Sequence, residues 1–572
     1  MWRHVEIAVR SPFKNFRRME VITVAKLDFP RHRNKDAQEY STKRWWLGMT
    51  LGDMLDKTAD LYPGKEALVD DRVRLSYSEL RERVDKLAVG FIKLGIEKGD
   101  TVLLQLPNWA EYVYSYFALQ KIGSVPVLLI SGYRQLEVSH LCRLTEARAW
   151  IVPDTYRNTD YTAFMGEVKE ANPQLDYIIS VRVAGENNNF TTNLESLMDR
   201  ELTAEDKQDL AARRPLPSDL AHILPTGGTT GLPKGIPRTH NDYMCNIEYV
   251  ARAGEMCTDD IWLVTVPVGH NLALLVGVTG CIFTGGKLVL LDSTRLGDVC
   301  GAIQRERITF MPIVPSLLKR IIDFEELADY DIKSLRKISA GGEASTPELI
   351  RSVTEKLGCK YINEFGMSEG LLFRTRIDYD LETICTTIGM PCCPYDQIRI
   401  IDRDGTELPV KTDGELATKG PGIFAGYLKN PEENEKAFTA DGFFRTGDQA
   451  RKDESGKVRI TGRIKDLIIR GGENVSPGQI EEIVATYPGV ADVAVIGMPD
   501  KDLGERVCAY IQPAAGAKLD PEKIKAFMED KGASKLLIPE RFEFTDALPM
   551  TDAVKHDKKA LREDLKRRSR QS

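Results

Sequence analysis

No CxxC pair occurs anywhere in this chain of 572 residues, although it carries ten cysteines. Without that spacing neither a disulfide framework nor a zinc site is indicated, and the thiols read as the reduced complement of a cytoplasmic protein. Cys392 and Cys393 are adjacent, between two prolines, and are expected to be packing residues, because neighbouring cysteines seldom bond to each other without strain. No run reaches the roughly 18 apolar residues of a membrane span, so no integral membrane segment is expected. Basic residues are not in excess: 78 Lys and Arg stand against 85 Asp and Glu, a net charge of −7, which argues against nucleic acid as a partner. Short-period repeats and low-complexity stretches are also absent. Arg3, Arg10, Lys14, Arg17 and Arg18 have no apolar core among them, which excludes a secretory signal. A targeting segment over residues 1–18 and an upstream extension before Met19 both stay open.

What is present is an ordinary globular composition, 42% hydrophobic and 28% charged, in a chain too long for one core. Ser76 and Glu79 form a capping-box pattern, and Leu80, Val84, Leu87 and Phe91 follow at helical spacing as far as Gly95. Strand is expected over Thr101–Leu106, helix over Trp109–Ile122 and strand over Ser124–Ile130. Further apolar strands read at 262–266, 287–291 and 310–314. This alternation predicts an α/β fold of parallel and mixed sheets covered by helices. Ala184 to Asp219 is polar and reads as a surface excursion. Near Gly462 to Lys465 the pattern restarts: Ser476, Pro477 and Gln479 predict a capped helix, and strands follow at 493–496 and 507–511. A small C-terminal α+β domain is therefore expected. The divisions are 1–44, an N-terminal extension; 45–463, the large body; and 464–572, the small domain.

The run Thr226-Gly-Gly-Thr-Thr-Gly-Leu-Pro-Lys-Gly235 joins hydroxyls and glycines to one lysine, the composition of a polyphosphate cradle. Placed between a strand at 220–224 and a helix at 239–250, it is expected at a strand-to-helix turn with N–H groups pointing outward. It is not a Walker loop, since Gly235 follows Lys234 where a magnesium-binding hydroxyl would stand.

Further along come Gly341-Gly-Glu343, Asn363-Glu-Phe-Gly-Met-Ser-Glu369, Phe444-Arg-Thr-Gly-Asp448, Gly462-Arg-Ile-Lys-Asp-Leu-Ile-Ile-Arg-Gly-Gly472 and Pro549-Met-Thr-Asp-Ala-Val-Lys555. In this order they resemble the signatures of the adenylate-forming superfamily of acyl-CoA synthetases, peptide-synthetase adenylation domains and luciferases. Ile236–Tyr243, Gly269-His-Asn271 and Phe365–Gly370 bring the resemblance closest to the stand-alone aryl-acid AMP ligases of the 2,3-dihydroxybenzoate and salicylate type. The resemblance implies ATP held by Thr226, Gly227, Gly228, Thr229, Thr230, Gly231 and Lys234, and Mg2+ held by Glu369. It implies adenine beside Gly341, Gly342 and Glu343, ribose on Asp448, and a nucleotide contact from Arg463. Residues 464–572 become a lid that turns at Lys465, and Lys555 reaches from it to the carboxylate and α-phosphate. Glu369, Lys555 and His270 are the catalytic candidates. Val554 and Asp552 depart from positions where the family usually has glycine, which leaves Lys558 or Lys559 as rivals for the role of Lys555.

The acid pocket is expected at His270, Asn271, Val276 and Glu364. Asn271 would bond a hydroxyl beside the carboxyl group, and Val276 stands where dihydroxybenzoate enzymes use serine, which favours a less hydroxylated acid. Glu364, facing the pocket, would welcome an amino or ring-nitrogen substituent; facing outward it would have no such role. The implied reaction is ATP-dependent ligation of a small carboxylic acid. Acyl-AMP forms with release of pyrophosphate, and the acyl group then passes to a pantetheine thiol of coenzyme A or a carrier protein, near Gly471 and Gly472. Two alternatives are a medium- or long-chain fatty acyl-CoA synthetase and a nucleotide-binding homologue with impaired catalysis.

Overall fold

The helix expected after Ser76 spans Tyr77–Leu94, and both halves of its capping box form: Glu79 N–H donates to Ser76 Oγ and Ser76 N–H to Glu79 Oε2. Gly95 ends it at φ +103°, a conformation that costs glycine nothing. Leu80, Val84, Leu87 and Phe91 are fully buried, as their spacing requires. The computed structural model describes residues 26–157, 159–183, 190–226, 232–466, 468–470, 473–500, 504–531, 533, 537–551 and 556–571.

Two large sheets form the body. One has seven strands in the order 234–239, 220–226, 125–128, 101–104, 149–153, 177–181 and 191–193. Its central strands pair in parallel and are buried on both faces, which is why they read as unbroken apolar runs. The other has nine strands, ordered 390–391, 372–374, 360–366, 337–340, 310–313, 261–264, 287–290, 66–69 and 74–76. A four-stranded antiparallel sheet, 397–401, 414–419, 444–452 and 458–463, follows. Residues 26–44 lie against the body, with Leu27, Phe29 and Tyr40 buried.

Beyond residue 464 a separate five-stranded sheet is built around Val490–Asp500 and Gly504–Pro513. Strand alternation divides its side chains between two cores. Val493 and Val495 meet Ile480, Val484, Ile524 and Met528 of the helices Pro477–Ala485 and Pro521–Asp530. Ala494 and Ile496 meet Leu561 and Leu565 of Lys558–Gln571.

Two expectations need correction. The polar segment after Ala184 is not simply a surface excursion: Thr191–Asn193 adds an edge strand in parallel to Tyr177–Val181, and Leu194 and Leu197 are buried beneath the helix Tyr77–Leu94. Ser476 does not cap its helix through its side chain; the hydroxyl donates instead to the carbonyl of Thr461, joining the small domain to the last strand of the body. Among the described residues no helix is long and apolar enough to cross a membrane.

Candidate active site

The phosphate-loop candidate connects two antiparallel strands. Leu220–Thr226 runs out, Lys234–Thr239 returns, and Thr226 stands opposite Lys234. This corrects the strand-to-helix placement, because the helix begins only at His240, behind a capping box of Thr239 and Asp242. Lys234–Thr239 contains Pro237, which a helix interior rejects and an edge strand accepts, and this strand is the edge of its sheet. Gly227, Gly228, Thr229, Thr230 and Gly231 lie outside the described residues. Thr226 and Lys234 are half-buried at the two ends of the loop.

From Lys234 a chain of contacts leads to Glu369. The ammonium pairs with the Glu433 carboxylate and lies over the ring of Tyr427, 4.8 Å from its centroid. The Tyr427 hydroxyl donates to Glu369 Oε1 at 2.9 Å. Burial raises the Glu369 pKa above the usual carboxylate range, against the opposing effect of the Tyr427 hydrogen bond and of Arg463 and Arg238. The turn carrying Glu369 is held by Arg238, which is fully buried. Its guanidinium donates to Ser368 O at 2.8 Å, Gly422 O at 2.7 Å, Asn246 Oδ1 at 2.7 Å and Asp242 Oδ1 at 2.6 Å. Asn246 in turn donates to Gly370 O at 3.0 Å.

Glu369 fits a magnesium ion of the phosphate-bound kind. It is a buried carboxylate with one oxygen already oriented by a hydroxyl, and such ions take one or two protein oxygens with phosphates supplying others. No cluster of three or more His, Cys, Asp or Glu suited to a metal occurs among the described residues.

The other nucleotide candidates lie on neighbouring strand ends. Gly342 has φ +88°, and a side chain at Gly341 would crowd the Glu364 backbone at 3.1 Å, so both glycines answer a steric demand. Glu343 accepts from Ser316 N at 3.1 Å and Ser316 Oγ at 3.1 Å. Asp448 and Arg463 face each other on paired strands, with Arg463 Nε 2.6 Å from Asp448 Oδ1. Lys465 lies in the single helical turn Ile464–Asp466. Gly471, Gly472, Asp552, Val554 and Lys555 fall outside the described residues. Lys558 pairs with Glu481 at 2.8 Å.

For the acid pocket, His270 is exposed and its Nδ1 accepts from Leu272 N at 3.3 Å. Asn271 is buried and its Oδ1 accepts from the Tyr243 hydroxyl at 2.9 Å, which leaves the amide N–H groups as its donors. Val276 is fully buried in a π-helix, Leu272–Thr279. Glu364 answers to neither expected alternative. It is buried, and its Oε2 accepts from Arg374 Nη2 at 2.6 Å, Arg374 Nε at 3.0 Å and Ser339 Oγ at 2.7 Å. Arg374 is fully buried and also donates to Val250 O at 3.0 Å. The charge that was expected to select an amino substituent is thus already matched. A sequence signal existed: Glu364 and Arg374 are direct cross-strand partners, ten residues apart around the turn that holds Glu369. Tyr427 and Glu433 belong to none of the quoted motifs.

The AMP-binding enzyme family matches residues 55–428, and the AMP-binding enzyme C-terminal domain matches residues 479–555. The chain belongs to the AMP-binding enzyme family and is an adenylate-forming acid–thiol ligase. Among curated relatives it is 38% identical over 533 residues to a 2,3-dihydroxybenzoate-AMP ligase of Bacillus subtilis, covering 92% of this chain and 96% of that one. It is 34% identical over 539 residues to a salicyl-AMP ligase / salicyl-S-ArCP synthetase of Mycobacterium tuberculosis, covering 93% of each. Among solved structures, apo MbtA of Mycobacterium smegmatis superposes with a TM-score of 0.70 at 33% identity, over 94% of this chain and 98% of that one.

Proposed function

We propose that the chain activates an aromatic carboxylic acid. A carboxylate oxygen attacks the α-phosphorus of ATP, pyrophosphate leaves, and a pantetheine thiol of coenzyme A or a carrier protein then displaces AMP from the acyl group. Both reactants of the first step are anions, so catalysis is positioning and charge stabilisation. In this reading Thr226, the loop 227–231 and Lys234 hold the β- and γ-phosphates. Glu369 holds Mg2+, which when bound neutralises phosphate charge. Asp448 accepts the ribose hydroxyls beside Arg463, and Gly341 and Gly342 admit adenine. Lys555 approaches the carboxylate and α-phosphate. Residues 464–572 turn at Lys465 between the two steps, and Gly471 and Gly472 border the thiol. A cytoplasmic setting fits the ten free thiols.

Asn271 carries the aromatic reading. With its carbonyl oriented by the Tyr243 hydroxyl, its amide N–H groups are left to donate, and it stands at the head of the apolar run Leu272–Val278, a setting for a ring with an acceptor beside its carboxylate. His270 lies at the exposed end of that run, and the relatives' names point the same way. Pyrophosphate release measured over a panel of acids tests this. Salicylate-like acids should be turned over well ahead of fatty acids; turnover of fatty acids with none of any aromatic acid would overturn it. Val276→Ser should shift kcat/KM toward 2,3-dihydroxybenzoate by about tenfold, because a buried hydroxyl left unpaired costs about 1–3 kcal/mol.

A further inference from the structure

The contact between Lys234 and Glu433 has no role in the reaction as written above. Glu433 is in the first turn of the helix Pro431–Ala437, where its N–H donates to Asn430 Oδ1 at 3.3 Å. That helix is fixed to the segment beside the loop: Tyr427 N–H donates to Asn434 Oδ1 at 2.7 Å, and Asn434 Nδ2 returns to Tyr427 O at 2.9 Å. Leu428 N–H donates to Gly235 O at 2.9 Å. Lys234 and Glu433 therefore stand on two backbones tied together independently of their ion pair. Their side chains are 21% and 39% exposed, so water and solutes reach the pair. Only side-chain rotation is needed to separate them.

We infer that Glu433 is an internal anion that exchanges with the terminal phosphates of the nucleotide for Lys234, and that its return helps pyrophosphate leave. This rests on reading Lys234 as the loop lysine that holds phosphate. Two phosphates carry more charge than one carboxylate and displace it when ATP enters. Once pyrophosphate has separated from AMP it has no covalent tether, and Glu433 competes for the ammonium. Tyr427 contributes a fixed site for that exchange, since its ring lies under the ammonium while its hydroxyl is engaged by Glu369. The lysine thus passes between two anions without leaving the ring face.

Binding of inorganic pyrophosphate with Mg2+ to the full chain, measured by calorimetry, tests the inference in wild type, Glu433→Gln, Lys234→Ala and the double variant. Half-exposed ion pairs are weak, about 0.2–1 kcal/mol, so Glu433→Gln should bind pyrophosphate about 1.4- to 5-fold more tightly. In the Lys234→Ala background the same substitution should change affinity little, because no ammonium remains to compete for. Unchanged or weaker pyrophosphate binding by Glu433→Gln overturns the inference, as does equal tightening in both backgrounds, which would mark a distant field effect. Lys234→Ala with wild-type pyrophosphate affinity removes the loop-lysine reading itself. Thermal unfolding of Glu433→Gln should match wild type closely, since Asn430 still caps the helix.

Discussion

Glu364 and Glu433 each pair with one cation, Arg374 and Lys234, in contrasting surroundings. The first pair lies in the nine-stranded sheet with side chains 4% and 0% exposed; the second lies at the loop exit at 39% and 21%. In the interior, desolvation makes separating the charges costly, and the further bonds to Ser339 and Val250 leave the partners no other place to go. At the loop exit water substitutes for either partner at small cost. The same ion-pair chemistry gives a fixed strut in one place and an exchangeable latch in the other. Asp396 extends the comparison as a carboxylate with no ion-pair partner among the described residues: its Oδ1 is buried without a hydrogen-bond partner, and burial pushes its pKa up to about 8.

The comparison breaks most sharply at Glu364. Glu364→Val should cost about 3–5 kcal/mol by stranding the Arg374 charge, read as a lower denaturant midpoint, and Glu364→Val/Arg374→Met should recover most of the loss. If the single variant unfolds like wild type, the strut assignment fails. Next in size, Lys234→Ala should lower acid-dependent ATP–pyrophosphate exchange by about 10²-fold, near 3 kcal/mol of transition-state stabilisation, with little change in unfolding. A loss of stability without loss of exchange would reverse the roles given to the two pairs.

Asp396 provides an effect that depends on pH. Its folded pKa lies above the unfolded value of about 3.9, so between about pH 4 and pH 8 the folded state holds a proton that the unfolded state has released. Stability then falls as pH rises through this window, by at most about 1.4 kcal/mol per pH unit from this group. Asp396→Asn should flatten the slope relative to wild type in unfolding measured from pH 5 to pH 7.5, and parallel slopes would contradict the raised pKa. Smallest is Glu433→Gln, expected to change stability by less than about 1 kcal/mol. Salt at 0.5 M should shrink this difference and leave that of Glu364→Val nearly unchanged, because screening acts on exposed charges.

How much of this was legible depended on whether partners lay close in sequence. The helix Tyr77–Leu94 was readable because its cap, apolar stripe and terminating glycine are all local. The buried parallel strands were readable as apolar runs. The phosphate-loop candidate stands out by composition, but hydroxyls and glycines lead into a strand as readily as into a helix, so the pairing of its flanking strands could not be read from it. Thr191–Asn193 is a three-residue polar edge strand, too short to show a period. Glu364 is expected in the acid pocket from its position before Phe365-Gly-Met, yet its meaning depends on Arg374, visible only once the two strands are paired in register. Tyr427 and Glu433 meet Lys234 across more than 190 residues of chain, and no local pattern announces such a contact.

The π-helix Leu272–Thr279 governs how this buried stretch of chain can be altered by insertion or deletion. Each of its turns holds more chain than an α-helical turn, so the segment carries surplus length in a place where neighbouring elements are already packed. Losing one residue there would let the segment relax to α-helix, whose tighter winding of about 100° per residue takes up most of the missing turn, so His270 and Asn271 would keep nearly the same facing relative to Val278 and Thr279. A deletion in the adjoining α-helix Gly280–Thr284 finds no such slack and would turn the elements on its two sides by about 100° against each other. The π-helix is therefore a place where this stretch of chain can lose a residue without re-aiming what it connects.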